Sequence, residues 1–462
     1  MSCRAHLRPT FAALALAAAI AACPASATAQ DLAPGGDGIG DPYFPTAGNG
    51  GYDVSHYDLD IDYTPRGARL DATAAITATA TQGLSRFQLD YSGPNVSRVT
   101  VDGQPAEYRS QDGELHVTPA GGITAGAQFT TTVAYAGKVG PSRGRLGSGW
   151  IPTGDGAFVA GEPRGAPTWF PCNDHPTDKA TFGFRITVPK GRKAIANGIL
   201  VDHSRAARES TWVWREDDPM AAYLATATNG RFRLTESTYG PIPSYIAVDP
   251  REAKASRRGL RELPAILDHF QGLFGEYPFS STGAIVDHAS FVGYALETQT
   301  IPLYDRAPDE VLIAHEVSHQ WFGDAVSVAR WSDIWLNEGF ATWAEWSWIE
   351  HTGGPTTART LRDLMRIRPG DRRFWRPAPG NPGAKHMFDA TVYVRGGMTL
   401  EALRQKVGTE VFLSILRRWV AEHRYANASI PDFIALAESE SGQELDEFFR
   451  IWLFDPAKPK DW

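Results

Sequence analysis

The segment that most restricts what this chain can become is Val311-Leu312-Ile313-Ala314-His315-Glu316-Val317-Ser318-His319-Gln320-Trp321-Phe322-Gly323. Pro308, Asp309 and Glu310 ahead of it are helix-start signals, so the segment is predicted to be helical. On a helix His315 and His319 stand about one turn apart on one face, which lets both imidazoles reach a single zinc ion at about 2 Å. Glu316 then sits beside the metal, outside the ligand set, where its carboxylate can take a proton from the attacking water, as the H-E-x-x-H pattern requires. Two histidines and a glutamate can also fall on an apolar helix with their rings satisfied by backbone carbonyls, so these five residues do not decide alone. Trp335-Leu336-Asn337-Glu338-Gly339-Phe340-Ala341 settles it, placing Glu338 after eighteen residues beyond His319. Two histidines and one glutamate with a fourth position open for water or substrate are the donor set of a catalytic zinc, one ion per chain. Glu345, seven residues after Glu338 on the same helical face, is a candidate acceptor for a ligand imidazole N–H, with a solvated helix face as the competing reading. Trp331, Trp335, Trp343, Trp346 and Trp348 are expected to be core packing around this helix rather than substrate contacts.

The rest of the chain must build a scaffold for that constellation. At 462 residues it exceeds the roughly 250 that one hydrophobic core sustains, so two or three domains are expected. From Tyr52 to about residue 238, alternating runs such as His56-Tyr57-Asp58-Leu59-Asp60-Ile61-Asp62-Tyr63 recur between Gly, Pro, Asp and Asn turns, which predicts a mostly-β domain. Leu70 to Thr81 suits a helix by its alanines and a strand by its threonine alternation; its neighbours favour a strand. After Pro241 the spacing becomes helical, with Leu260, Leu263, Ile266, Leu267, Phe270 and Phe274 on one face of Ser256 to Phe274. Three more helical patterns follow between Thr399 and Leu453, with Ser441-Gly442 as a stop. The resulting division is a leader at 1–29, a flexible Gly/Pro-rich lead-in at 30–51, a β domain at 52–238 and a metal-bearing, mainly helical domain at 239–462.

Charge and cysteine usage narrow the partners. A formal net charge of -8 without any lysine- or arginine-rich block leaves no footprint for phosphate backbones, which excludes nucleic acid. Arg4 and Arg8 precede an apolar run from Phe11 to Ala22, and Ala27-Thr28-Ala29 fits a signal cleavage site, predicting export to the periplasm or the exterior with Gln30 as the mature start. Ile20-Ala21-Ala22-Cys23 also fits a bacterial lipobox, which would instead leave a lipid anchor on Cys23. No later segment has the roughly twenty apolar residues of a transmembrane helix. Cys172, within Trp169-Phe170-Pro171-Cys172, is expected to be a buried small hydrophobe rather than a nucleophile. The oligomeric state is left open.

These residues resemble the aminopeptidase N family of zinc metallopeptidases, gluzincins that include alanyl aminopeptidases and leukotriene hydrolase. His315 to Gly323 and Trp335 to Ala341 are similar to that family's His-Glu-x-x-His-Gln-Trp-Phe-Gly and Trp-Leu-Asn-Glu-Gly-Phe-Ala blocks, at its spacing. Tyr294-Ala295-Leu296-Glu297-Thr298 resembles its Gly-Ala-Met-Glu-Asn motif, departing at Tyr294, Leu296 and Thr298; the resemblance assigns Glu297 to the free amino group of the substrate. Phe170 to Pro176 resembles its Phe-Pro-Cys-x-Asp-Glu-Pro turn with His175 in place of the glutamate, and Glu162, nine residues before Pro171, falls where relatives hold a second amine-binding residue. Tyr393, in Val392 to Gly396, resembles the tyrosine of a Tyr-x-Lys-Gly segment that hydrogen-bonds the oxyanion.

The resemblance implies a multidomain α+β chain, with an N-terminal mostly-β saddle domain followed by a thermolysin-like, mainly helical zinc-metallopeptidase domain. It further implies a short form without the C-terminal helical domain of longer relatives, hence a more open cleft, and an aminopeptidase acting on peptide substrates with a free N-terminus. Three rivals stand beside that expectation. An endopeptidase on the same scaffold would have no use for carboxylates at 162 and 297. An epoxide hydrolase like leukotriene hydrolase would need a lipid pocket that nothing here indicates. A catalytically silent peptide-binding module is expected to lose metal ligands or base, and all are present.

Overall fold

In Tyr52–Thr64, Tyr57, Leu59, Ile61 and Tyr63 are buried while Asp58, Asp60 and Asp62 are exposed, the alternation of a strand with one face on a core. In the computed structural model, which describes residues 1, 31–142 and 147–460, this strand lies inside an eight-stranded sheet. The order is Ile199–Arg205, Glu209–Ala221, Lys179–Pro189, Tyr52–Thr64, Arg69–Ala80, Gln128–Lys138, Asn95–Val101 and Gln104–Pro105. Neighbours are antiparallel except Lys179–Pro189 and Tyr52–Thr64, which run parallel with Phe184 opposite Leu59 and Ile186 opposite Ile61. Arg69–Ala80 is a strand because pairing on both sides buries Leu70, Ala72, Ala74, Ile76 and Ala78 on one face, a burial that outweighs the helix propensity of alanine. Two four-stranded sheets complete this β half. The leader expected at 1–29, with Cys3 and Cys23, lies outside the described residues apart from Met1.

The lead-in is not the flexible arm that its glycines and prolines suggest. Ala33–Pro34 pairs with Leu84–Asp90, and Asp41 is buried. Asp41 Oδ1 accepts from the Tyr43 and Phe44 N–H groups, while Oδ2 accepts from the Trp331 N–H at 2.9 Å and lies 3.2 Å from His175 Nε2. Tyr43 donates its hydroxyl to Asn381 Oδ1 at 2.6 Å and accepts from the Gly383 N–H at 2.7 Å. Trp331, Asn381 and Gly383, each 290 or more residues distant, help to hold the arm, so local composition could not reveal them. Leu32–Trp462 accordingly forms one compact unit.

The second half carries a five-stranded sheet ordered Arg233–Tyr239, Ile242–Val248, Thr282–Val286, Leu303–Tyr304 and Ala295–Leu296. Arg233–Tyr239 pairs with Ile242–Val248 along its whole length, so the seam between the halves lies upstream of residue 233 rather than at 238. The hairpin has the texture of the first half, but its backbone partners belong to the second. Around this sheet stand α1 (Ala253–Arg261), α2 (Leu263–Phe274), α3 (Glu310–Ser318), α4 (Trp335–His351), α5 (Thr357–Leu364), α6 (Arg372–Trp375), α7 (Ala390–Val407), α8 (Thr409–His423), α9 (Ile430–Ser441) and α10 (Asp446–Phe449). The helical stretch expected from Ser256 to Phe274 breaks at Glu262, where Pro264 in the first turn of α2 cannot donate a backbone bond into a continuous helix. Arg395 of α7, fully buried, donates to the carbonyls of Trp375, Ile451 and Asp455 and so fastens the C-terminal turn to that helix.

α4 and α7 meet backbone to backbone at two glycines. A β-carbon on Gly339 would stand 2.9 Å from Gly396 Cα, and one on Gly396 would stand 2.7 Å from Gly339 Cα. Glycine inside a helix costs roughly 0.5–1 kcal/mol relative to alanine, so the pair is retained for backbone contact. Glu338 of α4 and Tyr393 of α7, near this contact on the two helices, are close enough to act on one another. Gly396→Ala is expected to destabilise the protein by roughly 1–3 kcal/mol through overpacking, in spite of the better helix propensity of alanine. Urea denaturation reads this directly, and an unchanged or raised midpoint would refute the close-packing account.

Candidate metal centre and active site

α3 begins where Asp309 Oδ1 accepts from the Leu312 N–H at 2.9 Å. It carries His315 in its last turn and stops at Ser318, short of the Gly323 expected from the sequence. The chain then folds back so that the Phe322 carbonyl lies 3.0 Å from His319 Nδ1. Gly323 serves that turn with φ +134°, and a β-carbon there would come within 3.3 Å of His319 Nδ1. Glu338 enters from the first turn of α4.

The three residues predicted as ligands converge. His315 Nε2 and His319 Nε2 are 3.2 Å apart, and Glu338 Oε2 lies 3.4 Å from the first and 3.5 Å from the second. His315 Nδ1 is 2.6 Å from Glu345 Oε1, and His319 Nδ1 faces a carbonyl, so both rings carry a proton on Nδ1 and present the Nε2 lone pair inward. Glu338 Oε2 is buried with no hydrogen-bond partner among the described residues. Three lone pairs facing one another without a proton between them fit a cation, and two imidazoles with one carboxylate suit zinc. Among the described residues no other group of three or more His, Cys, Asp or Glu side chains brings its ligand atoms so close.

The remaining predicted residues gather around this group. Burial works against charge on His315, but the Glu338 and Glu345 carboxylates outweigh it and push its pKa well up. Glu338 is drawn down to about 2, the imidazoles of His319 and His315 overcoming its burial. Glu316 is buried and pushed up to about 8 by desolvation against the pull of both histidines. Glu297 follows the edge strand Ala295–Leu296, and burial, reinforced by Glu338, raises its pKa. Glu162 is raised well above the carboxylate range by burial, then by Glu297, Glu338 and Glu316. Glu162 Oε1 and Glu297 Oε1 are both enclosed and unpartnered among the described residues. The Tyr393 ring lies parallel to His315 at 5.9 Å, and burial with the neighbouring Glu338, Glu162 and Glu297 raises its pKa well above 10.

Trp331, Trp335, Trp343, Trp346 and Trp348 are all buried; Trp335 packs on Phe340 and Phe433, and Trp343 donates Nε1–H to Glu401. Cys172 is buried, with no disulfide partner among the described residues. Two features escaped sequence reading. The Phe322 carbonyl orients His319 but has no side-chain signal, and Tyr223 lies buried within the field of Glu297 and Glu162 with a hydroxyl unpartnered among the described residues, though nothing distinguishes it from other core tyrosines in sequence. Glu345→Gln is expected to weaken zinc roughly 10- to 100-fold by loosening the orientation of His315. Competition with a chromogenic chelator measures this, and unchanged affinity would refute the role of the His315–Glu345 contact.

Residues 54–224 match the Peptidase M1 N-terminal domain, and residues 294–452 match the Peptidase family M1 domain. The chain is 29% identical over 318 residues to Aminopeptidase M1 of Arabidopsis thaliana, an overlap covering 63% of this chain and 36% of that one. It spans about half the length, or less, of the curated relatives it matches. An M1 zinc metallopeptidase from Deinococcus radiodurans, solved as a substituted form bound to a Tyr-Ser-Ala substrate, is similar with a TM-score of 0.83 and 28% identity, over 92% of this chain and 100% of that one. A two-domain M1 zinc metallopeptidase bound to L-tryptophan is similar with a TM-score of 0.82 and 29% identity, over the same shares. The mostly-β half followed by a helical half is their architecture too. Because both family domains are matched in order across most of the sequence and the zinc-binding group lies within the second, this chain belongs to peptidase family M1.

Proposed function

We propose that this chain is a zinc-dependent aminopeptidase that hydrolyses the first residue from peptides with a free N-terminus. The observation that carries the reading is the pair of enclosed, unpartnered oxygens, Glu162 Oε1 and Glu297 Oε1, beside the metal-binding group. A buried acceptor left without a partner costs about 1–3 kcal/mol, and more when it is charged. A substrate ammonium supplies both the missing donors and the opposing charge, whereas a blocked N-terminus supplies neither. The naming of Aminopeptidase M1 and the Tyr-Ser-Ala substrate of the Deinococcus enzyme support the same reading.

Zinc, when bound by His315, His319 and Glu338, supplies Lewis acidity that polarises the scissile carbonyl and makes water a stronger acid. Glu316, outside the ligand set, takes the proton of the attacking water and returns one to the leaving amine. Tyr393 keeps its hydroxyl proton through neutral pH and donates a hydrogen bond to the developing oxyanion. Glu162 and Glu297 hold the ammonium, so the position of the cut follows from orientation at the N-terminus.

We also propose export. Residues 1–29 act as a leader that delivers the protein to the periplasm or the exterior, with a lipid anchor on Cys23 as the alternative. Among the described residues no helix is long and apolar enough to cross a membrane. Mass analysis of the mature N-terminus is expected to find Gln30; an acylated Cys23 would replace free release with anchoring.

Aminoacyl fluorogenic amides should be cleaved, their N-acetylated counterparts at least on the order of 100-fold more slowly. Chelation is expected to abolish cleavage and zinc to restore it, while equal cleavage of acetylated amides would turn the reading towards an endopeptidase. Glu316→Gln should lower kcat by roughly 10²- to 10⁴-fold with zinc still bound; loss of metal in that variant would make Glu316 structural.

A further inference from the structure

One residue beyond the second histidine, Gln320 is buried and its carboxamide is fully used. Nε2 donates to the Glu297 carbonyl at 3.0 Å and to Asp324 Oδ2 at 2.8 Å. Oε1 accepts from the Thr300 N–H at 2.7 Å and from the Tyr277 hydroxyl at 3.4 Å. A carboxamide has two N–H donors and two acceptor lone pairs, so no capacity remains for a ligand. Half of that capacity grips the loop 297–300, and the other half is anchored. Lys179 donates Nζ to the Asp324 and Ala325 carbonyls, and Tyr277 packs edge-on against Trp321 at 5.4 Å.

The gripped loop is strained. Thr300 has φ +66°, a left-handed conformation that a β-branched residue adopts at a cost of about 1–3 kcal/mol. Such a residue persists only where its surroundings over-determine it, and here they do. Besides the bond from its N–H to Gln320, its Oγ1 accepts from the Gly198 N–H at 2.9 Å and donates to the Gln299 carbonyl at 2.6 Å. Asn197 Nδ2 donates to that same Gln299 carbonyl at 2.7 Å, and Thr298 Oγ1 donates to the Ile301 carbonyl at 2.7 Å. The backbone that follows Glu297 is therefore set by tertiary bonds rather than by its own preference.

We propose that Gln320 is a positioning residue for amine recognition: bonded to the Glu297 carbonyl and the Thr300 N–H, and adjacent in the chain to His319, it fixes the Glu297 carboxylate at a set distance from the metal-binding group. The proposal rests on the reading of Glu297 as an amine-binding residue given under Proposed function. Gln320 acts through Glu297 and touches no substrate. The brace spans one peptide bond from a metal ligand and one side chain, a path too short to stretch. It thereby holds the spacing that limits cleavage to the first residue.

The test separates binding at the metal from binding of the ammonium. An α-amino hydroxamate and the same hydroxamate without its amino group are titrated calorimetrically into zinc-loaded wild-type protein, Gln320→Met and Gln320→Glu. The ratio of the two Kd values reports amine recognition alone. Wild type is expected to prefer the amino compound, and Gln320→Met to lower that preference roughly 10- to 100-fold with the Kd of the des-amino compound and the zinc content unchanged. Gln320→Glu is isosteric and keeps an acceptor for Thr300 but has no N–H for Glu297, so it should lose part of the preference; it carries the comparison if the methionine variant does not fold. An unchanged ratio, or equal weakening of both compounds, overturns the positioning role. Absence of any amine preference in wild type overturns the amine site itself, and the brace with it.

Discussion

Burying several carboxylates near one another is the constraint around which this molecule is arranged. Glu162, Glu297, Glu316 and Glu338 act on one another through protein rather than water, and burial is the largest influence on each. Desolvating charge costs several kcal/mol per ion unless opposite charge or donors compensate. Within the protein the compensation is partial: two imidazoles oppose Glu338, and the first turn of α4 sets it where a helix dipole favours negative charge. Three oxygens, on Glu162, Glu297 and Glu338, have no hydrogen-bond partner among the described residues. Under the function proposed above, binding free energy from a dication and an ammonium would answer that deficit, which would tie affinity for both to the same pocket.

Holding such a site requires rigid walls, and they are made of aromatic side chains and close helix contacts. Phe274 meets Phe322 at 4.9 Å, Phe322 meets Phe340 at 4.7 Å, and Phe340 meets Phe433 at 5.2 Å, a chain of rings that joins α2, the turn after α3, α4 and α9. The turn bearing the Phe322 carbonyl is thereby packed from both sides, and that carbonyl fixes the tautomer of His319. On the other flank, the approach of Gly339 to Gly396 brings α7 against α4. The β half is fastened to the same region by Asp41 at Trp331 and by Lys179 at the carbonyls of Asp324 and Ala325. Stability and site geometry share these contacts, so loosening one loosens the other.

Local regularities carried much of this into the sequence. A spacing of four between His315 and His319 is one helical turn, so their shared face follows from backbone geometry, and Glu338 and Glu345 fall on one face of the next helix for the same reason. Strand alternation in Tyr52–Thr64 is equally local. The docking of the lead-in could not be read in this way, because Asp41 and Tyr43 meet partners at Trp331 and Asn381 that are remote in the chain. The hairpin Arg233–Val248 failed for a related reason: alternation reports that a segment is a strand but not which sheet receives it.

What the sequence by itself determined is therefore the set of groups able to bind a metal and the helices that present them, since period and chemistry are properties of neighbouring residues. Only the tertiary structure decided how far apart those helices stand, which carbonyl orients His319, and how Gln320 joins the loop of Glu297 to the turn after α3. Distances between elements come from packing and from hydrogen bonds across long separations in the chain, and those energies are summed over partners that no local window contains.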